Sequence, residues 1–124
     1  MSHFVRYMTN MEDNMKKFRI DFAIISEGGI AYSVTGDIPL EEVPVIGDKI
    51  TFPLSDKYWS LFDNDDLVFI VTKQMTVQYR VMIAGQEGGM VLMLDEMAVR
   101  SAEDAKKIAV YFDISYGLDA DTSG

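Results

Sequence analysis

Between residues 17 and 26, apolar Phe18, Ile20, Phe22 and Ile24 alternate with Lys17, Arg19, Asp21 and Ala23. A period of two places every second side chain on one face, so the stretch predicts a half-buried β-strand. Glu27-Gly28-Gly29 predicts a reversal, because glycine reaches positive φ without a Cβ clash. Residues 30–35 predict the returning strand, ended by Gly36-Asp37. Residues 37–48 carry Pro39 and Pro44. Each lacks an N–H donor, so this part reads as a connection and not as a central strand. Within residues 43–53, Gly47-Asp48 predicts a turn that feeds a short strand at 49–52.

The pattern then changes. Tyr58, Trp59, Leu61 and Phe62 cluster at helical spacing behind Ser55, a residue type that caps helices, and predict a helical turn at 56–62. Asp63-Asn64-Asp65-Asp66 are turn formers that would end it. Residues 67–84 read as the strongest β segment: Met75, Val77, Tyr79, Val81 and Ile83 alternate with Thr76, Gln78, Arg80 and Met82. A straight strand of that length would reach roughly 60 Å at about 3.3 Å per residue, so a bend is expected at Thr72-Lys73-Gln74. Residues 85–89 predict a hairpin loop, and residues 90–94 a buried strand continuing toward Val99.

Ser101 followed by Glu103-Asp104 resembles a capping box with Asp in place of Glu. Ala105, Ile108, Ala109 and Phe112 then mark one helical face and predict a helix at 102–113. Residues 118–124 are polar and read as a loose tail. At the other end, Phe4, Met8, Met11, Met15 and Phe18 recur at helical spacing, with Tyr7 beside them. Residues 1–16 read either as an amphipathic helix or as an extension ahead of Met15-Lys16-Lys17. The fold expected is α+β: a small antiparallel, strongly bent sheet or partial barrel over residues 17–117, with a C-terminal helix.

Composition narrows the chemistry more than it names it. The chain has 124 residues, 48% of them hydrophobic, which suits one domain with its own core. It has no cysteine, which excludes disulfides, thiolate metal ligands and cysteine nucleophiles. Its one histidine is His3, so the usual triads and most zinc sites lack their parts. Adjacent carboxylates such as Glu41-Glu42 and Asp95-Glu96 point to opposite faces of a strand and form no acid/base pair by adjacency. The acidic runs at 63–66 and 119–124 lack the spacing of a calcium loop. The two Gly-Gly loops lack the lysine and following helix of a phosphate cradle. No cofactor is implied.

The formal net charge of −9 argues against binding nucleic acid or anionic membranes, both of which draw on Lys and Arg. No apolar run reaches the roughly 18 residues of a membrane span, so a cytoplasmic protein is the expectation. The functional reading is a non-catalytic binding module that acts through protein contacts. Its candidate contact residues are Tyr58, Trp59, Phe62, Asp63, Asp65 and Asp66, since exposed Trp and Tyr anchor interfaces. Two alternatives stand beside it: an acidic inhibitor or immunity-type protein that blocks a basic partner, and a carboxylate-based enzyme. A homodimer would form through a sheet edge or the Met-bearing N-terminal face.

Overall fold

The computed structural model describes residues 15–62, 65–86 and 89–122. Residues 1–14 of the helix or extension expected at 1–16, and Asp63, therefore lie outside the described residues, while Lys16 already belongs to a strand. Strands β1 (Lys16–Ser26) and β2 (Gly29–Leu40) form the first hairpin, with Phe18 opposite Ile38 and Phe22 opposite Val34. Residues opposite each other share a face, so both apolar rows meet. Phe18, Ile20, Phe22, Ile24, Val34 and Ile38 are all at most 8% exposed.

β2 runs past its expected end at Gly36. Its outer neighbour, β7 (Asp119–Thr122), pairs it only from Tyr32 to Thr35. Pro39 lies beyond that span, opposite Lys17, where a missing N–H breaks no bond to an outer strand. The loose tail expected at 118–124 is thus corrected. Leu118 is fully buried and Asp119–Thr122 is a strand. Polar composition misled there, because a short edge strand needs backbone pairing more than apolar side chains.

The 3-10 helix (Asp56–Leu61) matches the expected helical turn. Residues 67–71, expected as strand, instead belong to helix α1 (Asp65–Val71), which buries Leu67 and Val71 four residues apart. A short apolar run fits either element by periodicity. Here two aspartates in the first turn favour the helix, since they complement its positive end. The bend expected at residues 72–74 falls where α1 ends, with Thr72 Oγ1 donating to the Val68 carbonyl at 2.8 Å.

The remaining strands are β3 (Lys49–Ile50), β4 (Met75–Met82), β5 (Met90–Leu94) and β6 (Met97–Ala98). The sheet order is β3-β4-β5-β1-β2-β7, with β6 also against β1. It curls into a half-barrel, as the α+β expectation requires. The pairings of β1 with β5 and β6 are parallel and the others antiparallel, so the sheet is mixed. The expected run from residue 90 to Val99 breaks at Asp95, whose side chain is held by two groups. Thr76 N–H donates to Asp95 Oδ1 at 2.7 Å, and Lys73 Nζ lies 3.2 Å from Oδ2.

Helix α2 (Ala102–Tyr116) closes the concave side of the sheet. Ser101 caps its start, accepting from Asp104 N–H at 3.1 Å. Gly117, at φ 68°, ends it in a left-handed turn that a side chain would strain. The buried face carries Ala105, Ile108, Ala109, Tyr111 and Phe112. Phe112 stands edge-on to Phe22 at 5.3 Å and to Phe52 at 5.2 Å between centroids. Gly36 leaves room for Leu118: a Cβ there would meet Leu118 Cδ2 at 2.7 Å.

Phe112→Ala should cost about 3–5 kcal/mol through lost burial and a cavity. Gly36→Ala should cost about 1–3 kcal/mol through overpacking. Val110→Ala, on the exposed face of α2, should stay within about 0.5 kcal/mol. Urea denaturation checks all three, and equal losses at Phe112 and Val110 would contradict this packing.

Candidate functional site

The structure divides the six residues expected to contact a partner. Ser55 opens the 3-10 helix, its Oγ accepting from Lys57 N–H at 3.4 Å. In a 3-10 helix, residues three apart eclipse. Tyr58 and Leu61 therefore share one face and pack on the core. Phe62 follows in extended backbone and is 7% exposed. Tyr58 and Phe62 converge on Tyr111, at 5.8 and 5.4 Å between centroids. Both thus plug the end of the core and offer little to a partner.

Trp59 is different: it falls between the packed positions and is 52% exposed. Asp65 and Asp66 are exposed in the first turn of α1. Asp66 Oδ2 lies 3.7 Å from Arg100, and the two side chains are 70% and 88% exposed. An ion pair so wet contributes little stability. Asp66, Arg100 and Asp104 rim a concavity of about 420 Å³ that Leu67, Ile70 and Val99 also line. Among the described residues, no group of three or more His, Asp or Glu side chains is placed to hold a metal ion. No helix among them is long and apolar enough to cross a membrane.

Another apolar surface lies elsewhere, on β4 and β5. Val77 stands opposite Leu94, but the next opposed pair is Tyr79 with Met93, so β4 holds one extra residue, Gln78. Such a bulge exchanges the two faces of the strand beyond it. Arg80 and Met82, opposite Leu92 and Met90, turn to the concave side. Tyr79 and Val81, opposite Met93 and Val91, turn to the convex side. Met75 and Val77 are fully buried, whereas Tyr79 is 65% and Val81 45% exposed. The sequence shows Met75, Val77, Tyr79, Val81 and Ile83 as one apolar row, and the bulge cuts that row in two.

On the convex face Tyr79, Val81 and half-buried Val91 and Met93 adjoin β1, where Arg19 is opposite Val91 and Asp21 opposite Met93. Burial raises the Asp21 carboxyl above its ordinary 3.8, and the Arg19 charge opposes this only in part. β3 pairs β4 only at Thr76 and Met75, and Val77 exchanges backbone bonds with Gly47 and Asp48. Beyond Val77, no described strand lies on the outer edge of β4.

A concavity of about 520 Å³ opens on the other face at the same end of the sheet. Phe18, Val43, Met82, Ile83 and Met90 line it, with Lys16 and Lys17. The only sequence signal for either surface was an alternation too long for one buried face. Comparison with protein-family models, with curated proteins and with solved structures finds no match to this chain.

Two outcomes check this division. Tyr58→Ala and Phe62→Ala should each lower stability by about 2–4 kcal/mol, and Trp59→Ala by about 1 kcal/mol or less. A Trp59 cost equal to that of Phe62 would refute its placement. Because Asp21 is raised in the fold, the folded chain binds more protons than the unfolded one above pH 3.8. Stability therefore falls as pH rises from 3.8 through the raised value, and the penalty is complete above it. Asp21→Asn should raise the urea midpoint at pH 7, with the gain vanishing below the ordinary value.

Proposed function

We propose that the chain is a non-catalytic binding module whose partner is a protein that docks on the convex face of β4 and β5. One observation carries this reading: the bulge at Gln78 leaves Tyr79 and Val81 65% and 45% exposed beside Val91 and Met93. Burial of apolar side chains drives most protein association, and tyrosine is favoured at the centre of interfaces. The same bulge twists the open edge of β4, and the long charged Arg80 faces inward. Both features discourage strand-to-strand addition. The contact is therefore made by side chains of the face rather than by the backbone of the edge. Trp59 belongs to a separate element and is not needed for it. The partner presents an apolar centre with a charged rim that answers Arg19 and Asp21.

Tyr79→Lys combined with Val81→Lys should weaken the complex by about tenfold or more, roughly 1.4 kcal/mol. Stability should change by about 0.5 kcal/mol or less, because both side chains are exposed. Affinity capture from the native cell with wild type, the double variant and Trp59→Ala reads this. A protein retained by wild type and Trp59→Ala but lost by the double variant is expected, and retention by the double variant would sink the proposal. Light scattering on the same proteins shows whether the partner is a second copy.

A further inference from the structure

The concavities of this molecule differ in charge. Asp66 and Asp104 rim the one on α1, and Glu41, Glu42 and Asp48 line the one beside β3. The trough of about 520 Å³ carries the opposite sign: its described lining residues include Lys16 and Lys17 and no carboxylate. The whole chain has 20 acidic residues against 11 basic ones, so two lysines at one apolar opening reverse its charge locally. Glu41 and Glu42 line the neighbouring concavity, which shares only Val43 with the trough.

The rest of the lining is apolar and tied together. Phe18 is buried, Met90 half-buried and Met82 73% exposed, so apolar surface runs from the core out to solvent. Ile83 N–H donates to the Gly89 carbonyl at 2.6 Å, joining two lining residues across the end of β4. Arg80 reaches the Pro44 carbonyl at 3.5 Å and so holds the segment of Val43 against β4. A concave, mostly apolar site of this size with a few charged groups is the usual form of a small-molecule site. Methionines adapt to an irregular chain, and lysine stems lie along apolar surface while their ammonium groups stay in water.

We propose that the trough binds a single-chain fatty carboxylate. The hydrocarbon tail lies over Phe18, Met82 and Met90, and the carboxylate meets the ammonium groups of Lys16 and Lys17. The occupant is a free chain and not a bilayer, because a net charge of −9 repels an anionic membrane. The trough lies on the face opposite to the proposed partner surface, so the two assignments stand or fall separately.

Decanoate is added to the full chain at neutral pH, below the concentration at which it forms micelles, and the methionine methyl groups are observed by NMR. The Met82 and Met90 signals should shift and saturate, while fully buried Met97, beside Ile24 on β1, keeps its own position. Calorimetry should give decanoate an affinity about tenfold above that of decyltrimethylammonium, since the two lysines attract one headgroup and repel the other. It should also exceed octanoate by about tenfold, because each methylene taken from water strengthens binding by about fourfold. Lys16→Glu with Lys17→Glu should reverse the headgroup preference, and Tyr79→Lys with Val81→Lys should leave it unchanged. Equal affinity for the two headgroups, no saturable shift, or an equal shift at Met97 would overturn the proposal. So would sedimentation with phosphatidylglycerol vesicles at the affinity found for decanoate, which would assign the trough to a membrane surface.

Discussion

The packing of Phe112 against Phe22 and Phe52 is the contact on which the rest of the molecule depends. The three rings sit within 5.2 to 6.2 Å of one another. They join β1, the segment after β3 and helix α2. Tyr111 extends the cluster to Tyr58 and Phe62, and its hydroxyl donates to the Pro53 carbonyl at 3.2 Å. Tyr116 donates to the same carbonyl. The irregular stretch between β3 and α1 has few backbone partners of its own, so these aromatic and hydroxyl contacts hold it in place. Large apolar area and edge-on geometry together make such a cluster stronger than its burial alone.

That dependence explains why the aromatic residues around position 60 divide as they do. Tyr58 serves the core because the three-residue repeat of the 3-10 helix places it with Leu61 on the packed face, and Phe62, in the extended residue that follows, also reaches Tyr111. Trp59 cannot share that face. Another exposed apolar surface arises elsewhere, where one inserted residue in β4 transfers Tyr79 and Val81 from the inside to the outside. A single bulge thus puts Tyr79 and Val81 on the convex face and Met82 on the side of the trough.

Much of the fold was legible in the chain. The strand at residues 17–26 and the helix after Ser101 carry clean periods of two and of about 3.6 residues, with glycine turns and a serine cap at their ends. The helical turn behind Ser55 was legible for the same reason. Residues 67–71 were not, because a five-residue apolar run has no period long enough to separate strand from helix. Residues 118–122 were not, because pairing with β2 is a long-range event that leaves little local mark. Of the candidate site, Trp59, Asp65 and Asp66 are exposed, while Tyr58 and Phe62 turn inward.

The sequence by itself determined the hairpin of β1 and β2, the α2 helix and its serine cap, the α+β class, and the absence of cysteine chemistry. These follow from local patterning and composition, which need no partner across the fold. Only the tertiary structure decided the parallel pairing of β5 and β6 with β1, the edge strand at the C-terminus and the face on which each β4 side chain lies. Register is a relation between two strands, and a one-residue bulge reverses it without changing the pattern of either strand. Which apolar residues become core and which become surface is therefore settled only when the strands meet.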